Sequence, residues 1–264
     1  FLFIILVFDI LIFNLSSILF SDMRTGLLAV IIGSLMSYLA PTHAYQSLAT
    51  ILWTLILFLF IKTLKEGGPT SRQIGNLFIQ SLVFLAAVLT HVTALIIVMF
   101  IFMFFVFSLI FNSEVKIRYS LHAVMLMSSI IIISLLRLIQ QDISILNYVI
   151  GIFLQAINKL FNKVAVNESF EFRSSLYDYG GVAFYQAFLW SLTAALASAQ
   201  FLYMLIRKIR DIILFTFFLV ASAFILLGYL MASIDVPTNI YRSQYVSFVF
   251  LLPLAALTLK KLLE

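Results

Sequence analysis

VTALIIVMFIFMFFVFSLIF, residues 92–111, runs for twenty residues without a charged side chain. As an α-helix it would extend about 30 Å, the thickness of a bilayer hydrocarbon core. Its apolar residues fall on every side, and a helix that is apolar all round has no face to offer water. Outward from it, similar runs recur in both directions. Nine candidate spans can be marked, at residues 1–20, 27–40, 45–61, 74–90, 92–111, 119–139, 182–206, 212–231 and 245–259. Polar or turn-forming breaks separate them, at 21–26, 41–44, 62–73, 112–118, 140–181, 207–211 and 232–244, with a tight turn at His91. The expected fold is all-α: a polytopic transmembrane helical bundle of about nine spans, forming a single transmembrane domain over residues 1–264.

Composition supports the same expectation. Of the 264 residues 64% are hydrophobic and 10% charged, against roughly 45–50% and 25% in soluble domains. The 28 phenylalanines are spread along the whole chain, which implies lipid-facing surface throughout. The net charge of +5 would raise the question of nucleic acid in a soluble protein, but the basic residues stand between apolar runs and report topology instead; membrane lipid, and no nucleic acid, is the expected partner. With no cysteine there is no disulfide framework, thiolate metal site or thiol nucleophile. Phe1 stands inside an apolar run with no preceding basic region, and further sequence upstream is expected.

One stretch, 145–166, differs from the spans. Asn147, Gly151, Gln155, Asn158, Lys159, Asn162 and Lys163 gather on one side of a helical wheel, with apolar residues on the other. That pattern fits an amphipathic helix lying in the membrane interface, inside a long external loop over about 140–181. Basic residues in short loops set orientation. On this reading Arg24, Lys62, Lys65, Arg72, Lys116, Arg118, Arg207, Lys208, Arg210, Lys260 and Lys261 share one side, and Arg137, Lys159, Lys163, Arg173 and Arg242 the other. The richer side is expected to be cytoplasmic. A spanning 145–166 would instead place Arg207 and Lys260 outside.

Residues suited to chemistry then collect on the external side. His43 and His91 each stand at the outer end of a span, where an imidazole can shuttle a proton or, protonated, meet a phosphate. Arg242 opens the last span, where a guanidinium and the helix dipole together suit a phosphate; arginine also anchors helix ends with no ligand. Glu168, Glu171 and the aromatic run at 176–181 belong to the long loop, as does the sequon Asn167-Glu168-Ser169. Asp9 is the acidic residue well inside a span and should face protein or water. No paired-histidine metal motif, phosphate loop or dinucleotide fingerprint is present, so no metal site is expected and no cofactor is indicated.

Three segments carry a family resemblance. Ser37-Tyr38-Leu39-Ala40-Pro41 is followed by Thr42-His43-Ala44-Tyr45-Gln46-Ser47; Leu89-Thr90-His91-Val92-Thr93-Ala94-Leu95 joins two spans; and Tyr241-Arg242-Ser243-Gln244-Tyr245 leads into the last. The chain resembles the GT-C superfamily of integral membrane glycosyltransferases, especially prokaryotic members. The resemblance implies transfer of a sugar from a polyprenyl-phosphate-linked donor to an acceptor on the extracytoplasmic face of the cell (plasma) membrane. It makes His43, Gln46, His91 and Arg242 the expected substrate-binding residues. The family's catalytic carboxylate is expected upstream of Phe1, so the catalytic residue is unassigned. A multi-pass transporter and a lipid-linked glycan polymerase or ligase are the alternatives.

Overall fold

The computed structural model describes residues 2–37, 44–66, 70–90, 96–110, 180–209, 211–233 and 240–264. These form eight helices and, among the described residues, no strand: α1 (Leu2–Phe20), α2 (Met23–Ser37), α3 (Ala44–Glu66), α4 (Thr70–Thr90), α5 (Ile96–Ile110), α6 (Gly180–Ile206), α7 (Ile212–Ser233) and α8 (Ile240–Leu263). Each coincides with one of the apolar runs marked in the sequence. The ninth run, 119–139, and the amphipathic stretch 145–166 lie outside the described residues.

Helix boundaries differ from the apolar pattern where capping chemistry intervenes. Residues 21–26 read as a break, yet the chain interrupts its helix only at Ser21 and Asp22. Ser21 takes a left-handed φ of 53°, and the Asp22 N–H returns to the Ser17 carbonyl at 3.1 Å, the six-to-one bond of a Schellman ending. Asp22 then caps α2, accepting from the Thr25 N–H at 2.8 Å and the Thr25 hydroxyl at 2.6 Å. The same pair of devices joins α6 to α7. Lys208 is left-handed (φ 54°), Ile209 N–H bonds the Met204 carbonyl at 2.9 Å, and Asp211 caps with its carboxylate 3.1 Å from the Leu214 N–H.

Gly26 therefore lies within α2, where it meets α1. A Cβ there would stand 2.0 Å from Ser17 Oγ and 2.9 Å from the Phe13 carbonyl oxygen. Only hydrogen lets the two backbones come this close, the small-residue contact that membrane helix pairs use. On its other side α2 meets α8, with Leu252 packed at Gly33. α8 forms the centre of the bundle, packing on α1, α2, α6 and α7. An aromatic cluster fills the middle: Trp53 stacks on Phe250 at 5.6 Å, and Phe100 touches Phe60, Phe217 and Phe250. Trp53, Phe100, Phe217 and Phe250 are fully buried.

Several hydroxyls inside this core are satisfied by backbone carbonyls. Thr54, Thr193 and Thr216 donate their hydroxyls to carbonyls four residues back, and Thr258 donates to both Leu254 and Leu196. Such back-bonding hides a hydroxyl without a partner helix. The exterior carries the opposite chemistry: Phe3, Leu6, Phe78, Phe102, Phe188, Ile206 and Leu226 are each more than half exposed. Two helices contain stretches long and apolar enough to cross a membrane, Leu48–Lys65 and Phe188–Ile206, by length and composition. Ile5–Phe20, Met23–Ser34, Phe78–Ala87, Met99–Ser108 and Ile212–Leu226 are shorter apolar helical stretches.

Candidate functional site

Cross-helix contacts set the direction of each helix. The Lys65 ammonium, near the C-terminus of α3, donates to the Ile18 and Leu19 carbonyls at the C-terminus of α1. Lys260, near the C-terminus of α8, lies 3.2 Å from Asp22 at the start of α2. Lys261 donates to Gln200 Oε1 near the C-terminus of α6 at 3.2 Å. One end of the bundle thus gathers Lys65, Lys260 and Lys261, together with Arg24, Arg207 and Lys208 on the adjoining helix ends. The sequence assigned all six to one side.

α1, α3, α6 and α8 consequently all begin at the opposite end. Gln46 is the third residue of α3 and Arg242 the third of α8. The Trp53–Phe250 stack supplies a common level. Gln46 lies seven residues before Trp53 and Arg242 eight before Phe250, which puts both about 10–12 Å beyond the stack along their helix axes. Measured from the basic end, each is about 30 Å away, one hydrocarbon thickness. Their side chains lie outside those described. His43 and His91 also lie outside the described residues; His43 directly precedes α3 and His91 directly follows α4. The fold therefore brings the first turns bearing Gln46 and Arg242 to one end and one level.

Asp9 does not join them. It is eleven residues from the end of α1, and Ser34, its partner, is eleven from the start of α2, so the pair sits about 16 Å from the basic end. Ser34 Oγ donates to Asp9 Oδ2 at 3.0 Å, while Asp9 Oδ1 is buried with no hydrogen-bond partner. The sequence required Asp9 to face protein or water, and its carboxylate meets Ser34 of α2. That Ser34 is the facing residue has no signal in the sequence, because it depends on the α1–α2 crossing at Gly26.

Trp53 is a second feature that sequence reading missed. Its indole N–H is buried, without an acceptor, beneath the level of Gln46 and Arg242. Among the described residues no group of three or more His, Asp or Glu comes together as a metal site would need.

Hydrogen bonds from the Thr25 hydroxyl and backbone, followed by the Lys260 and Arg24 contacts, hold the Asp22 carboxyl well below the usual carboxylate range. Contact with Asp22 raises Lys260 above the ordinary lysine value, reinforced by Glu264 at 3.5 Å. The basic end joins the α2 cap to the Lys260–Asp22 ion pair, whereas the first turns bearing Gln46 and Arg242 stand at the other. No protein-family model matches the chain, and neither a curated protein nor a solved structure matches it.

Proposed function

We propose that this chain is a polytopic protein of the cell membrane that transfers a sugar from a polyprenyl-phosphate carrier to an acceptor on the extracytoplasmic face. Support for the membrane part comes first from the surface. Large apolar side chains are exposed on every described helix except α8's buried middle, and patches of that extent are unfavourable in water. The basic residues gathered at one end follow the charge bias of cytoplasmic loops. Helix direction supports the count of nine spans. α4 leads away from the basic end, because Asn76 pairs with Thr63 near the end of α3. α5 returns toward it, and α6 starts at the far end. These directions agree with the sequence expectation of one span at 119–139 and an interfacial stretch at 145–166.

The transfer reading rests on one observation: the first turns of α3 and α8, carrying Gln46 and Arg242, share a level about 30 Å from the basic end. Two helix N-termini, one of them bearing an arginine in its first turn, suit a lipid-borne phosphate. His43, which precedes α3 in sequence, and His91, which follows α4, complete the proposed donor contacts. Asp9, about 14 Å deeper, is too far from this level to act on a substrate there, and no general base is assigned. Arg242→Ala should reduce turnover of a polyprenyl-phosphate sugar donor about tenfold or more in reconstituted vesicles, the cost of losing a charge-assisted contact, with insertion unchanged. Equal turnover would refute the role of Arg242.

The Asp9–Ser34 pair favours a second reading. A carboxylate at mid-depth with one unpartnered oxygen is what an ion-coupled carrier places there. Uptake of a solute driven by a cation gradient, and lost in Asp9→Asn, would establish that reading in place of the first.

A further inference from the structure

The C-terminal end of α6 gathers cations around an exposed aromatic ring. Arg207 lies 5.9 Å from the centre of the Tyr203 ring, and Lys261 reaches the same ring at 4.0 Å while bonding Gln200. Lys208 follows directly, exposed on its left-handed turn. Lys260 next door is already engaged by Asp22 and Glu264, but among the described residues no carboxylate pairs with Arg207, Lys208 or Lys261. Tyr203 itself is 41% exposed.

Running away from these cations is an uninterrupted apolar strip. Phe188, Leu192, Ala195, Ala199, Leu202 and Ile206 are all exposed and recur at helical spacing along one face of α6. Between Phe188 and Ile206 the strip covers about 27 Å, nearly a full hydrocarbon thickness. Only 22% of this stretch is buried in the bundle, against half of Leu48–Lys65. Ala195 and Ala199 are the small residues of this exposed strip. A cationic head at one end of an apolar strip is complementary to one class of molecule.

We infer that this face binds an anionic phospholipid, its phosphate held by Arg207, Lys208 and Lys261 around Tyr203 and an acyl chain lying along the Phe188–Ile206 strip. Each cation near a headgroup adds to the attraction for anionic lipid, and the aromatic ring confines two of them beside each other. The inference rests on the membrane reading above but not on sugar transfer. It assigns a role to residues that the donor site at the other end does not use.

The test uses the full chain, purified in detergent, stripped of lipid and titrated with phosphatidylglycerol or phosphatidylcholine of identical acyl chains, with bound lipid counted by native mass spectrometry. Wild type should prefer phosphatidylglycerol by about tenfold or more. Arg207→Gln with Lys261→Gln should bring that preference close to unity. Lys62→Gln, which removes one charge on α3, should leave it intact. Because Lys261 also supports α8, Arg207→Gln with Lys208→Gln serves as a second variant and should lose most of the preference with melting unchanged. Equal binding of both lipids by wild type overturns the inference, as does a mass showing a second copy of the chain in place of lipid. Alkaline carbonate extraction of native membranes separates the two levels. Wild type that stays in the pellet but shows no lipid preference sinks this site alone, and wild type released to the supernatant sinks the membrane reading with it.

Discussion

The Lys260 ammonium stands 3.2 Å from the Asp22 carboxylate, joining the C-terminus of α8 to the cap of α2. Two helices more than two hundred residues apart in sequence are thereby held end to end. The bond also explains why the basic residues of α8 cannot all be available to lipid.

Asp22 makes a pH prediction with a definite sign. Its carboxyl is held below the ordinary aspartate range, chiefly by Thr25 and then by Lys260 and Arg24. A group whose folded value is depressed stabilises the fold above its unfolded value, near pH 4, and loses that contribution as pH falls further. Asp22→Ala should therefore melt below wild type at pH 7, with the gap closing progressively below about pH 4. Asp22→Asn, which keeps a capping oxygen, should lie between them. The two tryptophans allow melting to be followed by intrinsic fluorescence across the pH series.

Gly26 should tolerate no side chain. An alanine Cβ would fall 2.0 Å from Ser17 Oγ and 2.9 Å from the Phe13 carbonyl, so α1 and α2 must separate. Gly26→Ala is expected to cost about 1–3 kcal/mol in a detergent unfolding series. Ser17→Ala should recover part of the loss and no more, since the Phe13 backbone remains in the way. Full recovery would show that the helices do not approach as closely as described.

Asp9 and Ser34 should respond in opposite directions. Ser34→Ala removes the hydrogen bond to Asp9 Oδ2 and leaves a carboxylate in an apolar setting, lowering the melting temperature. Asp9→Ala removes the group whose second oxygen is already unpartnered, and should raise it. The asymmetry follows from the cost of stranding one partner against deleting the polar group. Matching losses in both variants would refute it.

The left-handed residues offer a stabilising change. Ser21 and Lys208 have φ near 54°, where a Cβ carries a steric penalty of roughly 1–2 kcal/mol. Ser21→Gly should raise stability by up to about 1 kcal/mol, visible as a higher detergent melting temperature, and Ser21→Val should lower it.

Much of the helical architecture was legible because apolar runs long enough to be helices have few alternatives. Eight such runs became α1 to α8. Their ends were less legible, because polarity marks where a helix becomes exposed and not where its hydrogen bonding stops. α3 continues through Lys62 and Lys65 to Glu66, since long lysine stems can extend along apolar surface and return their charge to neighbouring carbonyls. Gly26 read as a break, yet it is a contact residue inside α2. Of the expected donor residues, Gln46 and Arg242 have their backbone positions described, at matching depth in parallel helices, whereas His43 and His91 adjoin described helices.

Local chemistry thus decided which segments are helical and which ends are basic, because both depend on runs of neighbouring residues. Partnership was decided only by the folded bundle. Ser34 facing Asp9, Lys260 reaching Asp22, and Arg207 and Lys261 meeting at Tyr203 each depend on helix crossings and rotations. Those are set by side-chain packing among distant segments, at Gly26 and around Phe100 above all, and no local pattern encodes them.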